Sequence, residues 1–181
     1  MKKWMSGAIM LFLAVGVLGA ESIQAQSVLV AGYPAARDVP GARELPDPNS
    51  TYKVVFDISK GAAAPDKVNP GLVGVARFVN TLAKYGVTEI HRRIAVVFHQ
   101  EATWSILDNE AYKAHSGGVD NPDIALISSL KNAGVTFHVC GQSVLAHKID
   151  PKTINPNIEL DLWALTTFVN LELKGYVHVG G

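Results

Sequence analysis

One cysteine occurs in 181 residues, Cys140. A single cysteine excludes an internal disulfide, so it serves as a reactive thiol, as a carrier of cargo, or as a small apolar filler. Nor is there an excess of either charge: 16 basic residues face 16 acidic ones. Without a basic stripe, nucleic acid is excluded as an expected partner. No G-x-G-x-x-G loop and no Walker lysine motif occur, which removes the common phosphate cradles. A Gly-x-Ser-x-Gly elbow is missing too. No Cys-x-x-Cys or His-x-x-x-His spacing accompanies Cys140, so the Cys140/His138 pair on one strand face lacks the further ligands a structural zinc needs. Neither a metal nor a cofactor is expected.

Long apolar runs are confined to the start of the chain. Met1-Lys2-Lys3 precedes an apolar stretch from about Met5 to Ala20, followed by the polar Glu21 to Gln26. A basic n-region, a short h-region and a small-residue end read as a secretory signal peptide spanning residues 1–25, with cleavage after Ala25 and Ile23 at the −3 position. Cleavage removes Lys2, Lys3 and Glu21 and leaves 14 basic and 15 acidic residues, a formal charge of −1. The expected location is periplasmic or secreted, with no membrane contact after cleavage. Such compartments are oxidising, and structural cysteines there normally come in pairs. A lone thiol in that setting points to reactivity or to intermolecular pairing.

Residues 26–51 are crowded with turn formers, among them Gly32, Pro34, Pro40, Gly41, Pro46, Pro48 and Asn49, and read as an extended arm. From residue 52 strands and helices alternate. Strands are predicted at Lys53–Ile58, Arg93–Phe98, Val135–Val139, Ile158–Leu162 and Tyr176–Val179. A helix capped by Asp66 or Asn69, with Pro70 in its first turn, carries Leu72, Val75, Ala76, Val79 and Leu82 at helical spacing and stops at Gly86. A second, opened by Asn121 and Pro122, turns Ile124, Ala125, Ile127, Leu130 and Ala133 inward. Residues 99–118 read as less regular, Ser143–Lys148 as a short helix, and Trp163–Lys174 as a longer one. This alternation predicts an α/β fold: three layers, α/β/α, around a mainly parallel five-stranded sheet over residues 52–181.

In open α/β sheets ligands bind outside the carboxyl ends of the strands. Two segments end there: His99-Gln100-Glu101 after the second strand and Cys140-Gly141-Gln142 after the third. Imidazole beside a thiol takes its proton and leaves a nucleophilic thiolate, and free backbone N–H groups at a helix start favour that thiolate. Cys140 and His99 are therefore the candidate catalytic residues. Gly141, Gln142 and Glu101 are candidates for substrate binding. His99 as a plain hydrogen-bonding residue at a strand end is the competing reading. His91, His115, His147 and His178 look scattered, and Trp104, Trp163 and Tyr112 look like core or subunit-interface aromatics.

Three segments together are similar to a known family: Val-Val-Phe-His99-Gln-Glu-Ala-Thr-Trp, Asn121-Pro-Asp-Ile-Ala-Leu-Ile-Ser-Ser-Leu-Lys-Asn-Ala-Gly134-Val, and Phe-His-Val-Cys140-Gly-Gln-Ser. With the closing Leu-Thr-Thr-Phe-Val-Asn-Leu-Glu-Leu-Lys-Gly-Tyr-Val, they resemble the DsrE/DsrF-like family of sulfur-relay proteins over roughly Tyr52 to Gly180. The resemblance implies a three-layer α/β/α fold and homo- or hetero-oligomers, often trimers or hexamers; a homo-oligomer, trimer or hexamer, is expected here. It also implies that Cys140 carries sulfane sulfur as a persulfide, between a small sulfur donor and a thiol acceptor protein. Two alternatives stand beside it. One is a non-enzymatic oligomeric module binding a small ligand, with Cys140 only lining the pocket. The other is a cysteine hydrolase using Cys140 and His99, for which no oxyanion hole or third orienting group can be named.

Overall fold

A computed structural model describes residues 28–180. The predicted signal peptide lies outside the described residues. Five strands form one sheet: β1 (Tyr52–Ile58), β2 (Arg92–Phe98), β3 (Thr136–Cys140), β4 (Glu159–Asp161) and β5 (Val177–Gly180). Their order is β4-β3-β2-β1-β5, and every pairing is parallel. The β1-to-β4 progression runs one way across the sheet, and the last crossover returns the chain to the far side of β1. With right-handed crossovers, that return puts its helix on the opposite face.

The helices are α1 (Pro70–Lys84), α2 (Asn109–Ser116), α3 (Ile124–Asn132), α4 (Gly141–Ala146) and α5 (Ala164–Leu173). Asn69, not Asp66, caps α1, accepting the Gly71 N–H, with Pro70 at the first turn. The segment expected to be irregular contains α2, capped by Asp108. Only Tyr112 of that helix is buried, so its apolar periodicity is too sparse to read. α3 begins two residues after Pro122, because Asn121 and Asp123 are buried in polar contacts ahead of it. Its buried face is therefore Leu126, Ile127 and Leu130, and Ala125 is exposed. α4 starts directly at Gly141, two residues earlier than the predicted Ser143.

Two cores flank the sheet. The larger packs Val54, Ile94, Val96, Phe98, Phe137 and Val139 against Leu72, Val75, Val79 and Leu82 of α1 and the inner face of α3. Phe98 and Phe137 stack there at 6.2 Å. The smaller comprises Val55, Ala95 and Val97 with Ala164, Phe168 and Leu171 of α5, and it includes Cys140. Each fully buried Val, Leu, Ile or Phe contributes about 1.5–3 kcal/mol, so the larger core supplies most of the stability.

Residues 28–51 form neither strand nor helix, yet they are seated on α1. Val30 is fully buried. Asn80, a polar residue inside α1, accepts the N–H groups of Leu29 and Val30 through Oδ1 and donates through Nδ2 to the carbonyls of Val30 and Tyr33.

Candidate functional site

The β2–β3 register pairs Val97 with His138 and Phe98 with Val139. One step further along both strands stand His99 and Cys140. Neighbouring parallel strands lie about 4.8 Å apart, and directly opposed residues share a face. The fold thus brings the two candidate catalytic residues side by side at the carboxyl ends of β2 and β3. Both face α5, on the same side as Asp57, which the β1–β2 register aligns with Val97.

The sulfur receives a hydrogen bond, but not from the helix expected. Cys140 itself caps α4 without any side-chain bond. Instead the N–H of Ala164, the first residue of α5, donates to Cys140 Sγ at 3.2 Å. A negatively charged sulfur is the better acceptor for such a donor, and the positive end of the α5 dipole reinforces it. Close approach of the two segments depends on Gly141. A Cβ there would lie 2.6 Å from the carbonyl oxygen of Asp161 and 3.1 Å from that of Leu162. The Asp161 carboxylate accepts from Thr167 Oγ1 at 2.6 Å and stands 3.1 Å from His138 Nδ1. β4, α5 and the strand bearing the thiol are thereby tied together.

His99 has a carboxylate partner: its Nε2 lies 2.6 Å from Asp57 Oδ1. The other oxygen of Asp57 is 3.4 Å from His178 Nε2, and His178 Nδ1 is 3.0 Å from Glu172 Oε1. Phe168 packs between the two imidazoles, edge-on to His99 at 6.0 Å and stacked on His178 at 4.4 Å. Next to His99 the backbone is held in an unfavourable state. Gln100 has φ +49, a left-handed conformation that costs a non-glycine residue about 1 kcal/mol or more. α4 holds it there: the Gln100 N–H donates to Ser143 Oγ, and the Gln100 carbonyl lies 3.1 Å from His147 Nε2.

These groups line a cleft of about 640 Å³ that opens at the carboxyl edge of the sheet. Cys140 is only 3% exposed, and its exposure is into this cleft. Of the residues singled out in the sequence, Cys140, His99, Glu101 and Gln142 line it. Gly141 does not; it packs against the β4–α5 turn. The amide of Gln142 is engaged, donating to the Leu162 carbonyl at 3.2 Å, so it braces the wall. Asp57, His147 and His178 join the cleft without having been singled out. A lone carboxylate near the end of the apolar run Val54-Val-Phe-Asp57-Ile58 was the available signal for Asp57. His178, in Val177-His-Val179, carried none. Trp163 is half-exposed at the cleft mouth, Tyr112 is buried, and Trp104 stacks on His115 at 3.6 Å. The lining includes the carboxylates of Asp57 and Glu101 and no lysine or arginine. Among the described residues, no group of three or more His, Cys, Asp or Glu is arranged to hold a metal ion, and no helix is long and apolar enough to cross a membrane.

A protein of unknown function from Methanobacterium thermoautotrophicum is similar over 71% of this chain and 97% of its own, at 16% identity and a TM-score of 0.49. No curated protein matches the chain. The family model for the DsrE/DsrF-like family matches residues 53–179, a span that takes in His99, Cys140 and at least part of every strand. On that match the chain belongs to the DsrE/DsrF-like family, whose theme is sulfur relay.

Proposed function

We propose that this chain is an exported sulfur carrier that holds sulfane sulfur as a persulfide on Cys140 and hands it to an acceptor thiol. The observation that carries the reading is the setting of Cys140 Sγ: it ends a strand, lines a cleft, accepts the Ala164 N–H at 3.2 Å, and has His99 at the adjacent strand end. In the loading step the Cys140 thiolate attacks the outer sulfur of a donor R–S–SH. A Cys140 S–S bond forms, the R–S bond to that sulfur breaks, and R–S⁻ leaves and takes up a proton. In unloading an acceptor thiolate attacks the outer sulfur, and Cys140 departs as thiolate. Both steps are thiol–disulfide exchange in form, with no external oxidant.

The cleft wall also narrows the donor class. The lining holds two carboxylates and three imidazoles but no lysine or arginine, so a dianion such as thiosulfate would meet no permanent positive charge to offset its desolvation cost. A persulfide of an uncharged or zwitterionic thiol fits the same wall. The test is mass spectrometry of the purified chain lacking residues 1–25 after incubation with such a persulfide. One added sulfur on Cys140, absent in Cys140→Ser and slower from thiosulfate, is the expected result. A chain that takes up no sulfur, or takes it up without Cys140, sinks the reading.

The low exposure of Cys140 favours a second reading, a small-ligand-binding module in which the thiol is part of the wall. It requires slow alkylation of Cys140 and unchanged ligand affinity in Cys140→Ser.

Assembly as a homo-oligomer, trimer or hexamer, belongs to the same proposal. Leu165, Val169 and Leu173 recur on the outer side of α5 and are exposed, as are Val177 and Val179 on β5. A helix apolar on both sides is usually covered on both.

A further inference from the structure

We propose that Asp57 is a positioning residue that fixes His99 as the acid–base partner of Cys140, and that His178 holds Asp57 in place for this task. The inference rests on the sulfur-transfer reading only for the identity of the reaction. An ionised carboxylate only accepts hydrogen bonds, so the 2.6 Å contact to Asp57 Oδ1 puts the hydrogen of His99 on Nε2. Nδ1 is then the nitrogen with a free lone pair, and among the described residues it has no hydrogen-bond partner. The second oxygen of Asp57 faces His178 Nε2 at 3.4 Å, a contact that restrains the carboxylate when His178 carries hydrogen on both ring nitrogens, one for Glu172 and one for Asp57. His178 is itself oriented by Glu172 at 3.0 Å and by the face of Phe168 at 4.4 Å. The Asp57 side chain is mostly buried, which strengthens its interaction with an imidazolium relative to water.

The proton account closes. No hydrogen bond joins Cys140 Sγ to His99 directly, so neutral His99 takes the thiol proton on Nδ1 through one water in the cleft, giving thiolate and imidazolium, and Asp57 stays ionised against the Nε2–H. The thiolate forms its bond to the outer sulfur of R–S–SH, and the electron pair of the broken S–S bond leaves on R–S⁻. The imidazolium returns its proton to R–S⁻, releasing R–SH. The net change is Cys140–SH plus R–S–SH to Cys140–S–SH plus R–SH, with no oxidant or reductant. The alternative role for the same carboxylate is purely architectural, a polar brace between β1 and the ends of β2 and β5.

The test compares wild type with Asp57→Asn and His178→Gln on three readouts. The first is the imidazole N–H region of the proton NMR spectrum, where the carboxylate-bound Nε2–H of His99 resonates far downfield. The second is the alkylation rate of Cys140 by iodoacetamide, which needs the thiolate but no sulfur donor. The third is sulfur loading from a small-molecule persulfide. Asp57→Asn is expected to lose the downfield signal and to slow both alkylation and loading by about tenfold or more; His178→Gln keeps the signal and shows a smaller loss. A folded Asp57→Asn with wild-type rates overturns the proposal. Should Asp57→Asn fail to fold, the more exposed His178→Gln decides: wild-type rates in that variant overturn it as well. If wild type takes up no sulfur while Asp57→Asn still slows alkylation, the sulfur-carrier reading falls and the positioning role stands.

Discussion

At the scale of single residues, the cleft depends on one side chain that is present and one that is missing. Cys140 supplies the sulfur, and Gly141 lets the β4–α5 turn close over it. Gly141→Ala places a methyl 2.6 Å from the Asp161 carbonyl, which the backbone there must relieve by moving away. We expect a loss of about 1–3 kcal/mol, the usual cost of overpacking, read as a lower urea midpoint. Because the displaced turn carries the Ala164 N–H, Cys140 alkylation should slow in the same variant; an unchanged rate would mean that this N–H does not matter to reactivity. Cys140 and His99 were legible in the sequence because both sit at the end of an apolar run just where strand becomes loop. Asp57 and His178 were not. Their place in the cleft comes from meeting across β5, β1 and β2, with Asp57 and His99 separated by 42 residues, and no local pattern reports such contacts.

Secondary-structure elements were read well where periodicity was strong and poorly where polar contacts took over. The strands were legible because they are short and bounded by turn residues, and all but β4, which is Glu-Leu-Asp, are mainly apolar. α2 was not, since a single buried tyrosine anchors it, and α3 shifted because Asn121 and Asp123 are occupied in the loop before it. The arm is the element whose behaviour least resembles its composition. Its turn-rich sequence reads as an extended arm with no stated partner, and Asn80 of α1 makes four hydrogen bonds to it. Removing a buried side chain that satisfies several backbone groups costs about 1–3 kcal/mol or more. Asn80→Ala should therefore lower global stability by about 2–4 kcal/mol in urea titration and expose residues 28–33 to protease. If stability falls but the arm stays protected, the arm is held by Val30 and not by Asn80.

For the molecule as a whole, two properties are testable, pH response and assembly. Asp123 is buried, and desolvation raises its carboxyl above the ordinary 3.8 despite bonds from the Asn69 N–H and the Ser105 hydroxyl. A raised carboxyl favours the protonated fold, so this contribution is complete below 3.8 and is lost as pH rises through the raised value. The lowered carboxyls of Asp38, Asp47 and Asp66 act oppositely, adding stability above 3.8. Asp123→Asn should accordingly gain on wild type as pH is raised from about 4 to 7, in urea midpoints measured across that range; parallel curves would refute it. The second property is the outer apolar stripe of α5. Leu165→Glu with Val169→Glu should turn an oligomer into a monomer in analytical ultracentrifugation without unfolding it. A wild-type chain that sediments as a monomer at all concentrations removes the assembly proposal.

The donor to the sulfur lies 24 residues after it in the chain. During synthesis the thiol therefore emerges well before Ala164, Phe168 and the closing strand exist to shelter it. For that interval it is an ordinary, uncovered side chain, open to sulfenic acid formation and to mixed disulfides in an oxidising setting. A nascent or truncated chain ending before residue 164 would carry the reactive atom without its shelter.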